Sequence, residues 1–108
     1  VFALAEDIAA TRGLTFVSKI VDKTAPVTVA PRLTGIIEEE CRALGYPSMK
    51  LVSGAGHDAQ ILAGACDSGM IFIPSPDGIS HSPGERVDWA DLEKGANVLL
   101  RTIIRLAA

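Results

Sequence analysis

Gly69-Met70-Ile71-Phe72-Ile73-Pro74 is the stretch that decides the fold class. A continuous apolar run of this length, closed by a proline, fits a strand covered on both faces. Helical patterns flank it. From Pro31 to Leu44, Leu33, Ile36, Ile37, Cys41 and Leu44 form one apolar stripe, with Pro31 suited to the first turn and Gly45 ending the helix. Asp88 is positioned to N-cap a long helix over 89–106, whose buried stripe is expected to be Trp89, Leu92, Ala96, Leu99, Leu100 and Ile103. Gly95 lies inside that helix at a cost of about 1 kcal/mol relative to Ala, which close packing against a neighbour would offset.

Further out, residues 2–12 read as a helix with Leu4, Ala5 and Ile8 at helical spacing and Gly13 as its C-cap. Residues 14–21 alternate and are rich in β-branched side chains, as in a strand. The segment 24–31, with Pro26 and Pro31, reads as a linker. Residues 48–53 make a short strand candidate and about 58–64 a short helix. The order α-β-loop-α-β-α-β-α predicts an α/β class with some parallel pairing.

Composition narrows the function. Of 108 residues, 48% are hydrophobic, which excludes a disordered chain. Ten basic against thirteen acidic residues leave a net charge of -3, unsuited to a nucleic-acid surface. No apolar run approaches the roughly 20 residues of a membrane span, so no membrane partner is expected. No leader peptide is visible, and a cytoplasmic location is expected. Cys41 and Cys66 are too few for a disulfide scaffold, and Cys41 reads as a small buried hydrophobe. Two histidines are too few for a metal site held by this chain alone. The chain opens at Val1 inside an apolar pattern, which suggests an excised piece.

Both histidines lie in segments able to carry chemistry. In Ser53-Gly54-Ala55-Gly56-His57-Asp58-Ala59, a glycine-rich turn lets backbone approach a ligand, and the helix start behind it suits an anion such as a carboxylate. The spacing is neither a P-loop nor a dinucleotide fingerprint. In Ser75-Pro76-Asp77-Gly78-Ile79-Ser80-His81-Ser82-Pro83, a histidine follows the central run, where α/β sheets gather ligands. Its neutral imidazole could ligate a metal. From the residues alone, a structural histidine and a ligand stay equally open. Covalent catalysis is disfavoured: Ser80 and His81 are chain neighbours, and no Gly-x-Ser-x-Gly elbow is present. Glu38, Glu39 and Glu40 read as a solvated face of a peripheral helix.

Residues 53–59, Met70-Ile71-Phe72-Ile73-Pro74-Ser75 and Asp77-Gly78-Ile79-Ser80-His81-Ser82-Pro83, at this spacing, resemble the C-terminal region of the N-carbamoyl-L-amino-acid hydrolases. That family groups with allantoate amidohydrolases and β-ureidopropionases in the dinuclear-metal aminoacylase and carboxypeptidase superfamily. The resemblance implies the C-terminal part of a three-layer α/β/α catalytic domain over residues 26–108. Residues 1–25 would then be the last helix and strand of an inserted α+β dimerisation domain, with the Pro-containing linker as hinge.

The resemblance also implies a chemistry: hydrolysis of the carbamoyl or ureido C–N bond of N-carbamoyl-L-amino acids, allantoate or a similar ureido acid. Two divalent ions (Zn, Mn, Co or Ni) would bridge a water and generate hydroxide. By this likeness His81 is a metal ligand, the one ligand in this chain, and Gly56 and His57 contact the substrate's polar end. Asp58 would cap or orient the turn, Gln60 would occupy a solvated helix position in preference to facing the substrate, and Gly78 would shape the loop presenting His81. Glu85 would be structural, pairing with Arg86 or a backbone donor. No residue matches the general base or the remaining ligands, so the isolated chain is expected to be inactive, to self-associate, and to belong to a homodimer in its parent. The alternative is a non-catalytic module that binds a small anion or drives oligomerisation.

Overall fold

The computed structural model describes residues 1–108. Its elements are α1 (Phe2–Thr11), α2 (Pro31–Ala43), α3 (Asp58–Leu62), a 3-10 turn (Pro76–Gly78) and α4 (Trp89–Ala107). All four expected helices form within a few residues of their predicted bounds. Two of them stop for the same reason. Past α1, Gly13 turns left-handed (φ 67°) and its N–H donates to Ala10 while that of Leu14 donates to Ala9. Past α2, Gly45 (φ 72°) and Tyr46 repeat the pattern onto Arg42 and Cys41. Each is a Schellman closure, which a residue with a Cβ would strain.

The three expected strands do not form: residues 14–21, 48–53 and 69–74 carry no ladder. A helix satisfies its backbone from within, whereas a strand exists only beside another strand. These segments have no strand beside them. The chain is accordingly elongated, 63 × 34 × 20 Å, with a radius of gyration of 19.9 Å where a compact domain of this length would have about 13 Å.

The run 69–73 nevertheless keeps the side-chain alternation of a strand. Gly69 lies against Leu33 and Ile37 of α2, so close that a Cβ on it would sit 3.3 Å from the Leu33 Cβ. Ile71 lines an apolar groove of about 270 Å3 with Leu33 and Ile37 of α2 and Leu99, Ile103 and Leu106 of α4. Ile73 presses on Gly95 of α4, where a Cβ would come within 2.5 Å of its Cγ2. Residues 69, 71 and 73 therefore share one face. The Ile73–Gly95 approach accounts for the glycine inside α4: any side chain there would displace Ile73. The Ala30 N–H donates to the Ser68 carbonyl at 3.0 Å and ties the start of α2 to the start of this run.

α2 and α4 pack on each other and hold all four buried residues, Glu40, Cys41, Val98 and Thr102. Cys41 is buried as expected. The expected α4 stripe is not: Trp89 is 83% exposed and Leu100 55%. The face α4 turns inward instead carries Gly95, Val98 and Thr102, because α2 and Ile73 are the surfaces available to it. Asp88 is the N-cap of α4 through its carbonyl, which accepts from Asp91 and Leu92, and its side chain makes no cap bond.

The acidic run also divides. Glu38 and Glu39 stay at the surface, paired with Lys50 and Arg105. Glu40, expected to be solvated on a peripheral helix, is buried between helices. Its carboxylate accepts from Arg101 Nε at 2.6 Å and from Arg105 at 3.3 Å. It shares the inward side of α2 with Ile36 and Ile37, so burial follows from helical spacing, and the two arginines make burial of the charge tolerable. No helix is long and apolar enough to cross a membrane.

The hydrogen bond from Arg101 holds the Glu40 carboxyl below its ordinary value of 4.5, against the opposing effect of burial and with help from Arg105. A carboxyl whose pKa falls on folding stabilises the fold above its unfolded value, and that contribution is lost as pH drops through the folded one. In thermal unfolding of the intact protein, Glu40→Ala is expected to lower the midpoint at pH 7. The gap to wild type should close below about pH 4.5. A gap independent of pH would remove the ion pair from the account.

Candidate functional site

The site begins at the turn between the second predicted strand and α3. Ser53 folds back over the glycine-rich segment. Its Oγ accepts the Ala55 N–H at 3.3 Å and lies 2.6 Å from His57 Nε2. The His57 N–H donates to Gln60 Oε1 at 3.2 Å. The ring of Phe72, on the face of the apolar run opposite Ile71 and Ile73, meets the His57 ring edge to face with centroids 5.6 Å apart. The imidazole is thus held at one ring nitrogen, at its plane and at its own backbone.

Gly56, His57, Asp58, Gln60 and Ile61 line an open cavity of about 230 Å3, closed on one side by Thr24 from the linker. The linker and the glycine-rich turn therefore meet at one place, although 31 residues of sequence lie between Thr24 and Gly56. Two expectations for this turn change. His57, rather than Asp58, is the N-cap of α3. Gln60 is half-buried and closes the turn instead of occupying a solvated helix position. α3 is also only five residues long, too short for a substantial dipole, and Gln60 already takes the His57 N–H. Whatever this turn binds must meet side chains more than a helix terminus.

His81 stands apart from that cavity, in the loop after the 3-10 turn. The backbone there is unusual: Asp77, Gly78 and His81 all have positive φ, at 64°, 63° and 54°. Such conformations in non-glycine residues persist only where surrounding bonds impose them. The bonds are visible. Ser75 Oγ donates to the Ile79 carbonyl at 3.0 Å, Arg86 pairs with Asp77 at 3.0 Å, and Glu85 accepts the His81 N–H at 2.7 Å. Of the two partners anticipated for Glu85, the backbone donor is the one found, and Arg86 goes to Asp77. Gly78 shapes the loop through its positive φ. The His81 ring is exposed and makes no hydrogen bond within the chain. No group of three or more His, Cys, Asp or Glu side chains is arranged to hold a metal ion.

Residues 14–105 match the model of peptidase family M20/M25/M40. The chain belongs to that family. Among its relatives, an N-carbamoyl-L-amino acid amidohydrolase of Geobacillus stearothermophilus is 42% identical over 95% of this chain and 25% of its own length. An allantoate amidohydrolase of Escherichia coli is 42% identical over 76% of this chain and 20% of its own length. An uncharacterized hydrolase of Haemophilus influenzae is 43% identical over 89% and 23%. The chain thus spans about a quarter of the length of the curated relatives it matches.

Ser53, Phe72 and Thr24 are parts of this candidate site that the sequence patterns do not single out. Ser53 carried a signal: a hydroxyl four residues before a histidine, across a turn with two glycines, can reach back to the ring. Phe72 and Thr24 carried none, since their approach depends on tertiary packing.

The Glu85 bond is expected to hold the His81 loop closed. In hydrogen exchange on the intact protein, Glu85→Ala should accelerate exchange of the His81 amide by about tenfold, the loss of one charge-assisted bond. Unchanged protection would mean that the Asp77–Arg86 pair alone imposes the conformation.

Proposed function

We propose that the protein carrying this chain hydrolyses the carbamoyl or ureido C–N bond of N-carbamoyl-L-amino acids, allantoate or a similar ureido acid. The observation that carries this reading is the 42% likeness to an N-carbamoyl-L-amino acid amidohydrolase across 95% of the chain. The geometry supports it through the cavity shared by Gly56 and His57, which are the proposed contacts to the substrate's polar end. An imidazole beside an apolar ring suits a planar ureido or carboxylate group.

His81 is proposed as one ligand of a pair of divalent ions, Zn, Mn, Co or Ni. Its exposed, unengaged ring on a backbone fixed by Glu85 fits that part, and imidazole serves any of these metals. When bound, such ions polarise a carbonyl and lower the pKa of water. The rest of the ligands and the general base would lie outside these 108 residues, so the isolated chain is proposed to be inactive. Within it, the tasks are to present His81 and to seat the substrate at His57.

The proposal extends to architecture. Residues 26–108 are assigned to the closing part of a three-layer α/β/α catalytic domain and 1–25 to the tail of an inserted dimerisation domain. Support comes from the groove between α2, α4 and Ile71, an apolar floor of the kind a sheet covers. The parent is read as a cytoplasmic homodimer, in keeping with two free cysteines. The exposed Leu99, Leu100, Ile103 and Ile104 favour self-association of the isolated chain. Light scattering should find it oligomeric, and a clean monomer at high concentration would count against this.

The main test uses the intact protein supplied with manganese, cobalt, nickel or zinc. Ammonia release from N-carbamoyl-L-amino acids or allantoate is expected, and its absence with both overturns the reading. His81→Ala should lower bound metal and turnover together, by about a hundredfold in rate. His57→Ala should keep the metal and weaken substrate binding or turnover. Full metal and full rate in His81→Ala would withdraw the ligand assignment.

A further inference from the structure

We propose that Ser53 is a positioning residue for His57, holding the imidazole in a single orientation for the ligand that enters the Gly56–His57 cavity. The inference rests on the reading that His57 meets substrate. Its basis is the arrangement of the turn. A serine hydroxyl offers one proton and two lone pairs. At Ser53 one lone pair takes the Ala55 N–H at 3.3 Å, and the hydroxyl faces His57 Nε2 at 2.6 Å. The backbone bond fixes the oxygen, and the oxygen then fixes the ring nitrogen. The edge-to-face contact with Phe72 sets the ring plane, and the Gln60 bond to the His57 N–H sets the point from which the ring hangs. Remove the hydroxyl and the contact with Phe72 survives while the anchor at Nε2 is lost.

This arrangement also assigns a limit. With Nε2 engaged by a hydroxyl that is itself anchored, His57 has one ring edge left for a ligand. It serves to recognise and orient a polar group through that edge. Ser53 has no buried carboxylate behind His57 to make it a nucleophile, so its part is to hold the ring.

The test compares Ser53→Ala and Ser53→Thr with wild type in the intact metal-loaded protein. KM for N-carbamoyl-L-amino acids or allantoate should rise about tenfold in Ser53→Ala, with kcat changed less than about threefold and metal content unchanged. Ser53→Thr, which keeps the hydroxyl, should restore KM. Side-chain nitrogen NMR of labelled histidine should show a His57 Nε2 shift displaced by the Ser53 hydrogen bond in wild type and in Ser53→Thr, and that displacement lost in Ser53→Ala. An unchanged KM in Ser53→Ala overturns the proposal in an active enzyme. If wild type turns over neither substrate class, the functional reading fails by itself. The nitrogen shifts then decide Ser53 alone: loss of the Nε2 displacement in Ser53→Ala upholds its hold on the ring, and unchanged shifts refute it.

Discussion

The packing of α2 on α4 is the constraint on which the rest of the structure depends, and Glu40 is its centre. A carboxylate between two helices is unfavourable unless cations meet it, and here Arg101 and Arg105, one turn apart on α4, do so from one side. The pairing also limits how the helices can sit. Sliding α4 by a turn would leave the buried anion with one arginine in place of two. Apolar contacts between Cys41, Val98 and their neighbours supply attraction, but attraction of that kind tolerates shifts that a directional ion pair does not.

With those helices fixed, the run 69–73 has a floor. The two glycines at the contact points, Gly69 over α2 and Gly95 on α4, let backbone and side chains approach where any larger residue would hold them apart. The loops beyond the run are then stabilised locally. Ser53, Gln60 and Glu85 are each within four residues of the group they hold. Long-range packing places the platform, and short-range polar bonds shape what stands on it.

The same division explains what was legible beforehand. Helices and their ends were readable because periodicity, Pro31, Gly13 and Gly45 act within a turn or two of themselves. The strands were not realised, since 14–21 and 48–53 need partners that no local pattern supplies. Residue 69–73 occupies the middle ground, where the alternation predicted for a strand is present without the ladder. Glu40 was misjudged because three consecutive glutamates look alike in composition while helical geometry sends one of them inward. Arg101 and Arg105, a pair of cations one turn apart in the C-terminal half of α4, were the clue. At the site, the motifs single out His57 and His81, and the Ser53 hydroxyl lies in the same motif as His57. What could not be read was the company His57 keeps, because Phe72 and Thr24 reach it only through the fold.

Phe72 and Ile73 are joined by one peptide and face opposite ways. Ile73 bears on Gly95 of α4, and Phe72 bears on the ring of His57. The two contacts form a lever with the apolar run as its fulcrum. The residue that seats the run on α4 and the residue that packs on the imidazole are thus chain neighbours, so the helix core and the cavity wall share one peptide unit.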